Sequence, residues 1–258
     1  MPKLSIIIPT FNSAGTMQQC LRSIASQTFT DYEVVIQDGG SSDQTVELIH
    51  EFQRNNPGIS IELEQEPDKG IYDAMNKAMH RAKGAWLYFL GSDDELYDEN
   101  VLSRILGSPD EDSSDVLYGN NQRVGSADPD INGTVTGGVL DLSTVLTKPI
   151  GHQALFYRTA FARRVGDYKQ KYPIMADRDF TMRCWAKGGR FRYVDVIIAK
   201  YSYGGISSRV GTDRRFRADL LLNIIRYFWK SAGNKDLYRG VTPRKLLRAI
   251  AWSLRILH

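Results

Sequence analysis

Residues 33–45 read EVVIQDGGSSDQT. The apolar run Val34–Ile36 predicts a buried strand, and Asp38 with two glycines follows it as a turn. Asp43 stands where it can cap a helix over about residues 44–55. A buried strand that passes through a turn into a helix is the repeating unit of a parallel α/β sheet.

The same alternation recurs through the first hundred residues. The remaining elements are predicted as a strand at Leu4–Ile8 stopped by Pro9, a helix at 14–26, a strand at Ile59–Leu63, a helix at about 71–82 and a strand at Trp86–Leu90. This order predicts a right-handed, doubly wound, mostly parallel sheet with helices on its faces. Ligands bind at the carboxyl ends of the strands in such sheets.

The pattern is weaker beyond residue 110. The elements predicted there are strands at Val116–Tyr118, 131–136, Ala154–Tyr157 and Phe191–Ala199, and a helix at Asp179–Lys187. We expect one α/β domain whose halves are residues 1–110 and 111–213, followed by a basic helical tail at 214–258.

Composition places the chain among ordinary globular proteins, with 42% hydrophobic and 24% charged residues in a length of 258. Cys20 and Cys184 are far apart, which argues against a disulfide scaffold or a zinc site and fits a reducing cytoplasm. The first residues lack the apolar core of a signal peptide, and no apolar run reaches the roughly 20 residues that span a bilayer. We therefore expect a cytoplasmic protein.

The net charge of +3 is unevenly distributed. Residues 214–258 carry eleven Lys/Arg and two Asp/Glu, a local charge of +9, which leaves −6 on the rest. On a helix over 243–258, the apolar side chains Leu247, Ile250 and Leu254 share one face and arginines share another. Such a helix can lie on an anionic membrane surface, although packing on its own domain or on a second subunit is the alternative.

Asp38 could accept hydrogen bonds from a ligand N–H or a ribose hydroxyl, because it follows a strand directly. Gly39 and Gly40 would let the ligand approach the backbone closely. The alternative is an ordinary turn that leads into a capped helix.

Asp93 and Asp94 follow the predicted strand at Trp86–Leu90. One carboxylate could bind a divalent cation that bridges a diphosphate, since Mg²⁺ and Mn²⁺ prefer oxygen ligands, while the other contacts a ribose or a supporting residue. The alternative is a solvated acidic turn, because Glu95 follows immediately.

Three further sets of polar residues are candidates. Asp73 and Asn76 share a face of a predicted helix start and could line the same crevice. Asp177 and Asp179 lie near another helix start, where one could act as a general base, although aspartates are common there. His152 lies in a polar turn and is either structural or a contact to an acceptor or a metal.

The chain resembles the family 2 glycosyltransferases, which are inverting enzymes with the GT-A fold that use sugar nucleotides. The resemblance runs in order through residues 5–12, 33–45, 68–76, 84–90 and 91–94. Residues 151–157 and 203–207 look like segments of the branch that builds bacterial surface polysaccharides.

The resemblance implies a role for each matching residue. Asp177 would be the catalytic base, and Asp93 would bind the divalent metal, Mn²⁺ or Mg²⁺. The acceptor would meet His152, Gln153 and Asp179. The donor site would comprise Pro9, Thr10, Phe11, Asn12, Asp38, Gly39, Lys69, Asp73, Asn76, Ser92 and Asp94.

Two positions depart from the family pattern: Gly91 stands where the first Asp of its DxD motif is expected, and Ala176 stands where a Glu precedes the base. A non-catalytic nucleotide- or carbohydrate-binding relative is therefore the alternative to an enzyme. A nucleotidyltransferase or a nicotinamide dehydrogenase is disfavoured because the required Gly-rich loops are missing.

The partners implied by the resemblance are a UDP-sugar donor and a glycan or lipid-linked glycan acceptor. With the basic tail, they suggest a peripheral position on the inner face of a bacterial plasma membrane, and no nucleic acid partner is expected.

Overall fold

The structure is a computed structural model that describes residues 1–108, 111–148, 150–203, 205 and 213–229. The strands are β1 Leu4–Thr10, β2 Tyr32–Asp38, β3 Ser60–Gln65, β4 Trp86–Phe89, β5 Glu95–Leu96, β6 Val116–Val124, β7 Val135–Thr136, β8 Leu155–Arg158 and β9 Phe191–Ser202. The helices are α1 Met17–Ala25, α2 Thr45–Asn55, α3 Ile71–Arg81, α4 Val101–Leu106, α5 Leu142–Thr147, α6 Thr159–Val165, α7 Ala176–Ala186 and α8 Arg214–Trp229. A 3₁₀ turn at His152–Ala154 precedes β8.

Within the described residues, one sheet runs in the order β3-β2-β1-β4-β8-β6-β9-β5, and β7 pairs with β6. The first four strands are parallel, as the sequence predicted. β8 is antiparallel to both β4 and β6, and β9 returns parallel to β6. The prediction of an α/β fold with helices flanking the sheet is confirmed.

Apolar side chains cover both faces of the sheet. Along β4, Trp86 and Tyr88 belong to one buried cluster, whereas Leu87 and Phe89 belong to the other. Alternate residues of a strand point to opposite faces, so a strand that is buried on both sides reads as a continuous apolar run. This is why the central strands were visible in the sequence.

Pro9 does not stop β1, which continues to Thr10 beside β2. The carbonyl of Ile7 accepts a hydrogen bond from the N–H of Leu90 on the β4 side. Pro9 lies two residues further and faces that same side, beyond the last residue that pairs with β4. Its missing N–H therefore removes no ladder bond.

The later elements differ more from expectation. Only Val135–Thr136 of the predicted strand at 131–136 is a strand, and α7 begins at Ala176, three residues earlier than predicted. Because α7 is buried on nearly all sides, it lacks the polar stripe that marks the limits of a surface helix.

α8 begins at Arg214, where the predicted tail starts, and it packs into the body. Its residues Phe216, Leu220, Ile224 and Phe228 belong to the same buried cluster as α7. The segment 243–258 lies outside the described residues, so its helix stays a prediction. None of the helices in the described ranges combines the length and apolarity needed to cross a membrane.

Candidate active site

A cleft of about 490 Å³ opens at the carboxyl ends of β1 and β4, as expected for a parallel sheet. The start of α3 and the end of β9 form its other walls. Its lining comprises Pro9, Thr10, Phe11, Asn12, Ser13, Gly15, Thr16, Asp68, Gly70, Ile71, Ala74, Gly91, Ser92, Asp93, Asp94, His152, Gln153, Tyr201 and Gly205.

The loop after β1 presents both apolar and polar groups to the cleft. Phe11 is 61% exposed, which is unusual for a large aromatic side chain. Thr10 is buried, and its Oγ1 has no hydrogen-bond partner among the described residues. Asn12 has a φ of 49° and ties this loop to the next one, because its Oδ1 accepts from the N–H of Ser42 at 2.9 Å.

Asp38 holds the turn after β2. It is fully buried, and its carboxylate accepts hydrogen bonds from the N–H groups of Gly40 and Ser41 and from the Ser41 hydroxyl. A Cβ at Gly39 would lie 2.5 Å from Asp68 Oδ2, so Gly39 brings this turn against the cleft-lining Asp68. In the structure, Asp38 therefore stabilises the turn after β2. Its contact to a base or ribose stays a prediction.

The polar face predicted on α3 does not line the cleft. Asn76 is buried and exchanges two hydrogen bonds with the backbone of Tyr168, and its ligand contact stays a prediction. Asp73 accepts from the backbone N–H of Lys69 at 3.0 Å and from Gln170 at 2.7 Å, which makes it a cap for the start of α3.

From this part of the chain, the cleft is lined instead by Asp68, Ile71 and Ala74. Burial raises the pKa of Asp68. No sequence pattern marked this carboxylate for a role of its own, although it adjoins the Lys-Gly pair that precedes α3.

The two acidic residues after β4 have different environments. Asp93 is exposed in the cleft, whereas Asp94 is buried. Asp94 accepts from Gln153 Nε2 at 2.6 Å and from the N–H of Ser202 at 2.9 Å. Burial and the neighbouring charge of Asp93 raise the pKa of Asp94 to about 7. Asp94 therefore joins the walls of the cleft, and Asp93 is the carboxylate placed to meet a ligand.

The residues present fit a cation that is shared with a substrate. In the described part of the chain, no group of three or more His, Cys, Asp or Glu side chains could enclose a metal ion. A Mg²⁺ ion that carries a diphosphate needs only one or two protein carboxylates, since phosphate and water supply its remaining ligands. Asp93 offers one such carboxylate at the cleft.

The loops around Asp93 are linked across the cleft. Ser92 shares a 2.8 Å hydrogen bond with Ser13 of the β1 loop. The Ser202 hydroxyl donates to the backbone carbonyl of Asp93 at 2.5 Å. A Cβ at Gly205 would lie 2.9 Å from Asp93 Oδ2, so the chain after β9 lies directly against this carboxylate.

Asp177 and Asp179 serve different parts of the molecule, because residues two apart on a helix face in nearly opposite directions. Asp177 is partly exposed, and its Oδ2 lies 3.6 Å from His152 Nδ1. Asp179 is fully buried and binds Arg183 Nε at 2.7 Å and the Tyr227 hydroxyl at 2.6 Å. Asp179 thus joins α7 to α8, and its acceptor contact stays a prediction.

His152 and Gln153 both line the cleft from the turn before β8. Gln153 is nearly fully buried and reaches Asp94, while His152 lies between the cleft and Asp177. Their contact to an acceptor stays a prediction, and the structure adds that they connect the two acidic positions of the site.

The profile of glycosyl transferase family 2 matches residues 5–164. The PGL/p-HBAD biosynthesis glycosyltransferase of Mycobacterium tuberculosis is 39% identical over 221 residues, which are 83% of this chain and 82% of that protein. A GalNAc(5)-diNAcBac-PP-undecaprenol beta-1,3-glucosyltransferase of Campylobacter jejuni is 34% identical over 120 residues, 46% of this chain and 38% of that protein.

Solved structures share the fold at low sequence identity. S. aureus TarS in complex with UDP-GlcNAc has a TM-score of 0.70 at 20% identity and covers 99% of this chain and 82% of its own. The mannosyltransferase PcManGT from Pyrobaculum calidifontis, solved with GDP-Man and Mn²⁺, has a TM-score of 0.64 at 16% identity, covering 99% and 70%.

Proposed function

The chain belongs to glycosyl transferase family 2, and from that premise we propose that it is an inverting enzyme that moves a sugar from a UDP-sugar to a hydroxyl of a glycan or lipid-linked glycan. The observation that carries this proposal is the cleft itself, where Asp93, Phe11 and His152 converge at the carboxyl edge of the sheet. The alternative of a non-catalytic relative is set aside, since the relatives are glycosyltransferases.

The β1 loop would hold the nucleotide. Phe11 offers an exposed ring on which a base can stack, and Thr10 Oγ1 offers a buried hydroxyl that lacks a partner among the described residues. UDP is our choice because a structure of this fold holds UDP-GlcNAc, and GDP is the competing base because another holds GDP-Man.

Asp93 would hold the divalent cation, Mn²⁺ or Mg²⁺. Related structures contain Mn²⁺, and Asp93 is the exposed carboxylate of the acidic pair. When bound, the cation neutralises the charge that develops on the departing diphosphate. Asp94, Gln153 and Ser202 keep the loop that carries Asp93 in place through the hydrogen bonds described above.

Asp177 would be the general base that removes the acceptor's hydroxyl proton. It lies in the first turn of α7, within reach of His152 at the cleft. The acceptor oxygen attacks the anomeric carbon opposite the leaving diphosphate, so one displacement inverts the configuration. No covalent enzyme intermediate is required.

The acceptor class follows from the relatives. One is named for PGL/p-HBAD biosynthesis, and another acts on a glycan carried by PP-undecaprenol. A lipid-linked acceptor places the reaction at a membrane surface, and the basic segment 243–258 provides a means of binding to the inner face of a bacterial plasma membrane.

The test of this function is transfer with a defined stereochemical outcome. A panel of UDP-sugars is incubated with Mn²⁺ and candidate glycan acceptors, and the product linkage is read by proton NMR. An α-linked donor should give a β-linked product. Retention of configuration, or nucleotide binding without any turnover, would contradict the proposal.

A further inference from the structure

We propose that the exposed face of α8 binds the surface of an anionic lipid bilayer. This contact belongs to the folded body and is separate from the basic segment 243–258. The inference rests on the proposed function for its choice of partner, because a lipid-linked acceptor lies at a bilayer surface. It adds the part of the folded body that the bilayer would meet.

α8 presents an apolar strip to solvent. Ala218, Leu222 and Ile225 are all exposed and are spaced by four and three residues, so they share one face of the helix. Leu222 is 63% exposed and Ile225 is 48% exposed. Among the described residues, these two are the only large exposed apolar side chains that lie on a helix. They do not serve the core, since α8 packs on the body through its opposite face.

Arginines border this strip on both sides. At 3.6 residues per turn, Arg214 lies at one edge of the strip, and Arg215 and Arg226 lie at the other. All three are exposed, and no acidic residue is among the exposed positions of α8 in the described chain. Asp219, the acidic residue of this helix, is bound to Lys171 at 2.5 Å. The exposed face of α8 is therefore both apolar and basic.

This combination suits the interface of an anionic bilayer. Leu222 and Ile225 can enter the headgroup region, while the guanidinium groups pair with lipid phosphates. Residues 1–213 carry a net charge of −6, so an anionic surface would repel the rest of the body and turn α8 toward the lipid. A nucleic acid backbone also offers phosphates, but it has no apolar layer for the two aliphatic side chains.

The charge of this face disfavours two other occupants. Residues 230–258, which follow α8 in the sequence, hold seven Lys/Arg and one Asp, so their charge has the same sign as that of the face. A second copy packed through the same face about a twofold axis would bring two sets of arginines together. Like charges weaken either association, whereas the phosphates of a bilayer complement the arginines.

The face is fixed relative to the proposed reaction site. Asp213, just before α8, accepts from the N–H of Met175 at 3.0 Å, and Met175 directly precedes α7. Near the end of α8, the Tyr227 hydroxyl donates to Asp179 of α7 at 2.6 Å. α7 carries Asp177 in its first turn. A bilayer bound to α8 would therefore hold a lipid-linked acceptor close to the helix that carries the proposed base.

The first test reads the environment of this face in the full-length protein. Leu222→Cys is labelled with the fluorophore NBD, and Cys20 and Cys184 should stay unlabelled because both are buried. We expect vesicles that contain phosphatidylglycerol to shift the NBD emission to the blue, and brominated lipid to quench it. The same label at Val139→Cys, an exposed apolar position outside α8, should show neither change. An unchanged signal at residue 222 would overturn the proposal.

The second test measures how much the face contributes to binding. Partition of the full-length protein onto phosphatidylglycerol vesicles should fall about fivefold in Arg226→Gln, the effect of removing one arginine near an anionic surface. It should fall at least about tenfold in Leu222→Glu, which replaces apolar contact by repulsion. Arg54→Gln on α2 and Val139→Glu are the matched exposed controls and should bind as the wild type does. Wild-type partition by Leu222→Glu would contradict the proposal.

Two further measurements on Leu222→Glu identify the other occupants. A lower midpoint of thermal unfolding than in the wild type would mean that another part of this chain covers the face. A wild-type dimer that this variant dissociates, seen by analytical ultracentrifugation, would mean that a second copy covers it. Either result would overturn the proposal, and we expect neither.

The outcomes also separate this inference from the proposed function. Vesicle binding is measured without a sugar nucleotide, so its failure leaves the transfer reaction intact. A wild type that binds vesicles through α8 but releases no UDP from any UDP-sugar would contradict the proposed function and leave the lipid contact standing.

Discussion

The backbone of Gly91 lies against the carboxylate of Asp94: a Cβ built at Gly91 would be 2.7 Å from Asp94 Oδ2 and 2.8 Å from Asp93 Oδ1. The Asp94 side chain cannot move away easily, because it accepts hydrogen bonds from Gln153 and Ser202. A glycine at the first position of the acidic motif is therefore part of this site's packing, although the family pattern has a side chain there.

Gly91→Ala should destabilise the protein and lower its activity. The new methyl group must displace the Asp93 and Asp94 carboxylates, and overpacking of this kind costs about 1–3 kcal/mol. Thermal unfolding and UDP release measure the two effects. Gly58→Ala is the control, because nothing lies within 4 Å of a Cβ at that glycine. Equal behaviour of the two variants would show that the acidic loop adapts freely.

Asp93→Ala should abolish metal-dependent nucleotide binding, because the variant removes the exposed carboxylate of the cleft while leaving the buried Asp94 in place. Calorimetric titration of UDP with Mn²⁺ measures this directly. Glu99→Gln, an exposed acidic residue beyond the cleft lining, should bind as the wild type does. Unchanged binding by Asp93→Ala would remove Asp93 from the metal site.

Leu220→Ala should destabilise the fold far more than Leu222→Ala, although both leucines lie on α8. Leu220 is 3% exposed and packs in the core, whereas Leu222 is 63% exposed. A buried leucine truncated to alanine costs about 2–5 kcal/mol, and an exposed one about 0.5 kcal/mol or less. Urea unfolding compares them, and equal losses would mean that α8 does not belong to the folded body.

Asp213→Asn should loosen the junction between α7 and α8. The Asp213 carboxylate is buried and accepts from the N–H groups of Ile174, Met175 and Phe216. Asn keeps one of the two oxygens, so we expect a loss of about 1.5–3 kcal/mol in the free energy of unfolding. Glu47→Gln on the exposed face of α2 is the control and should change stability by less than about 0.5 kcal/mol.

Deletion of residues 243–258 should release the protein from anionic lipid vesicles. This segment carries Arg244, Lys245, Arg248 and Arg255, and it is predicted to form an amphipathic helix. Vesicle sedimentation with phosphatidylglycerol, and with neutral lipid as the control, measures the effect. Continued pelleting of the truncated protein with anionic vesicles would place the membrane contact elsewhere.

The first half of the fold was predictable because its strands are buried on both faces and each ends in turn residues. Two of these strands are visible as the apolar runs Val34–Ile36 and Trp86–Leu90. Asp93 follows the second run, at the predicted carboxyl edge of the sheet. These are local signals, so the parallel arrangement of the strands and the edge of the sheet that carries the cleft could be inferred without any knowledge of the later chain.

The role of a site residue was least predictable where long-range contacts decide it. Asn76 is bound by Tyr168, and Asp179 is bound by Tyr227, partners that lie 92 and 48 residues away. In the sequence, Asn76 has the spacing of a ligand-binding helix face, and Asp179 lies near a predicted helix start. No local pattern distinguishes a polar residue that faces a cleft from one that satisfies a distant buried partner.

The most direct test is calorimetric titration of the full-length protein with UDP, and with GDP for comparison, in the presence and absence of Mn²⁺. We predict that UDP binds only when Mn²⁺ is present and that GDP binds more weakly. Binding of neither nucleotide by protein that is shown to be folded would contradict a donor site at Asp93 and the β1 loop. Preferential binding of GDP would contradict the UDP assignment alone.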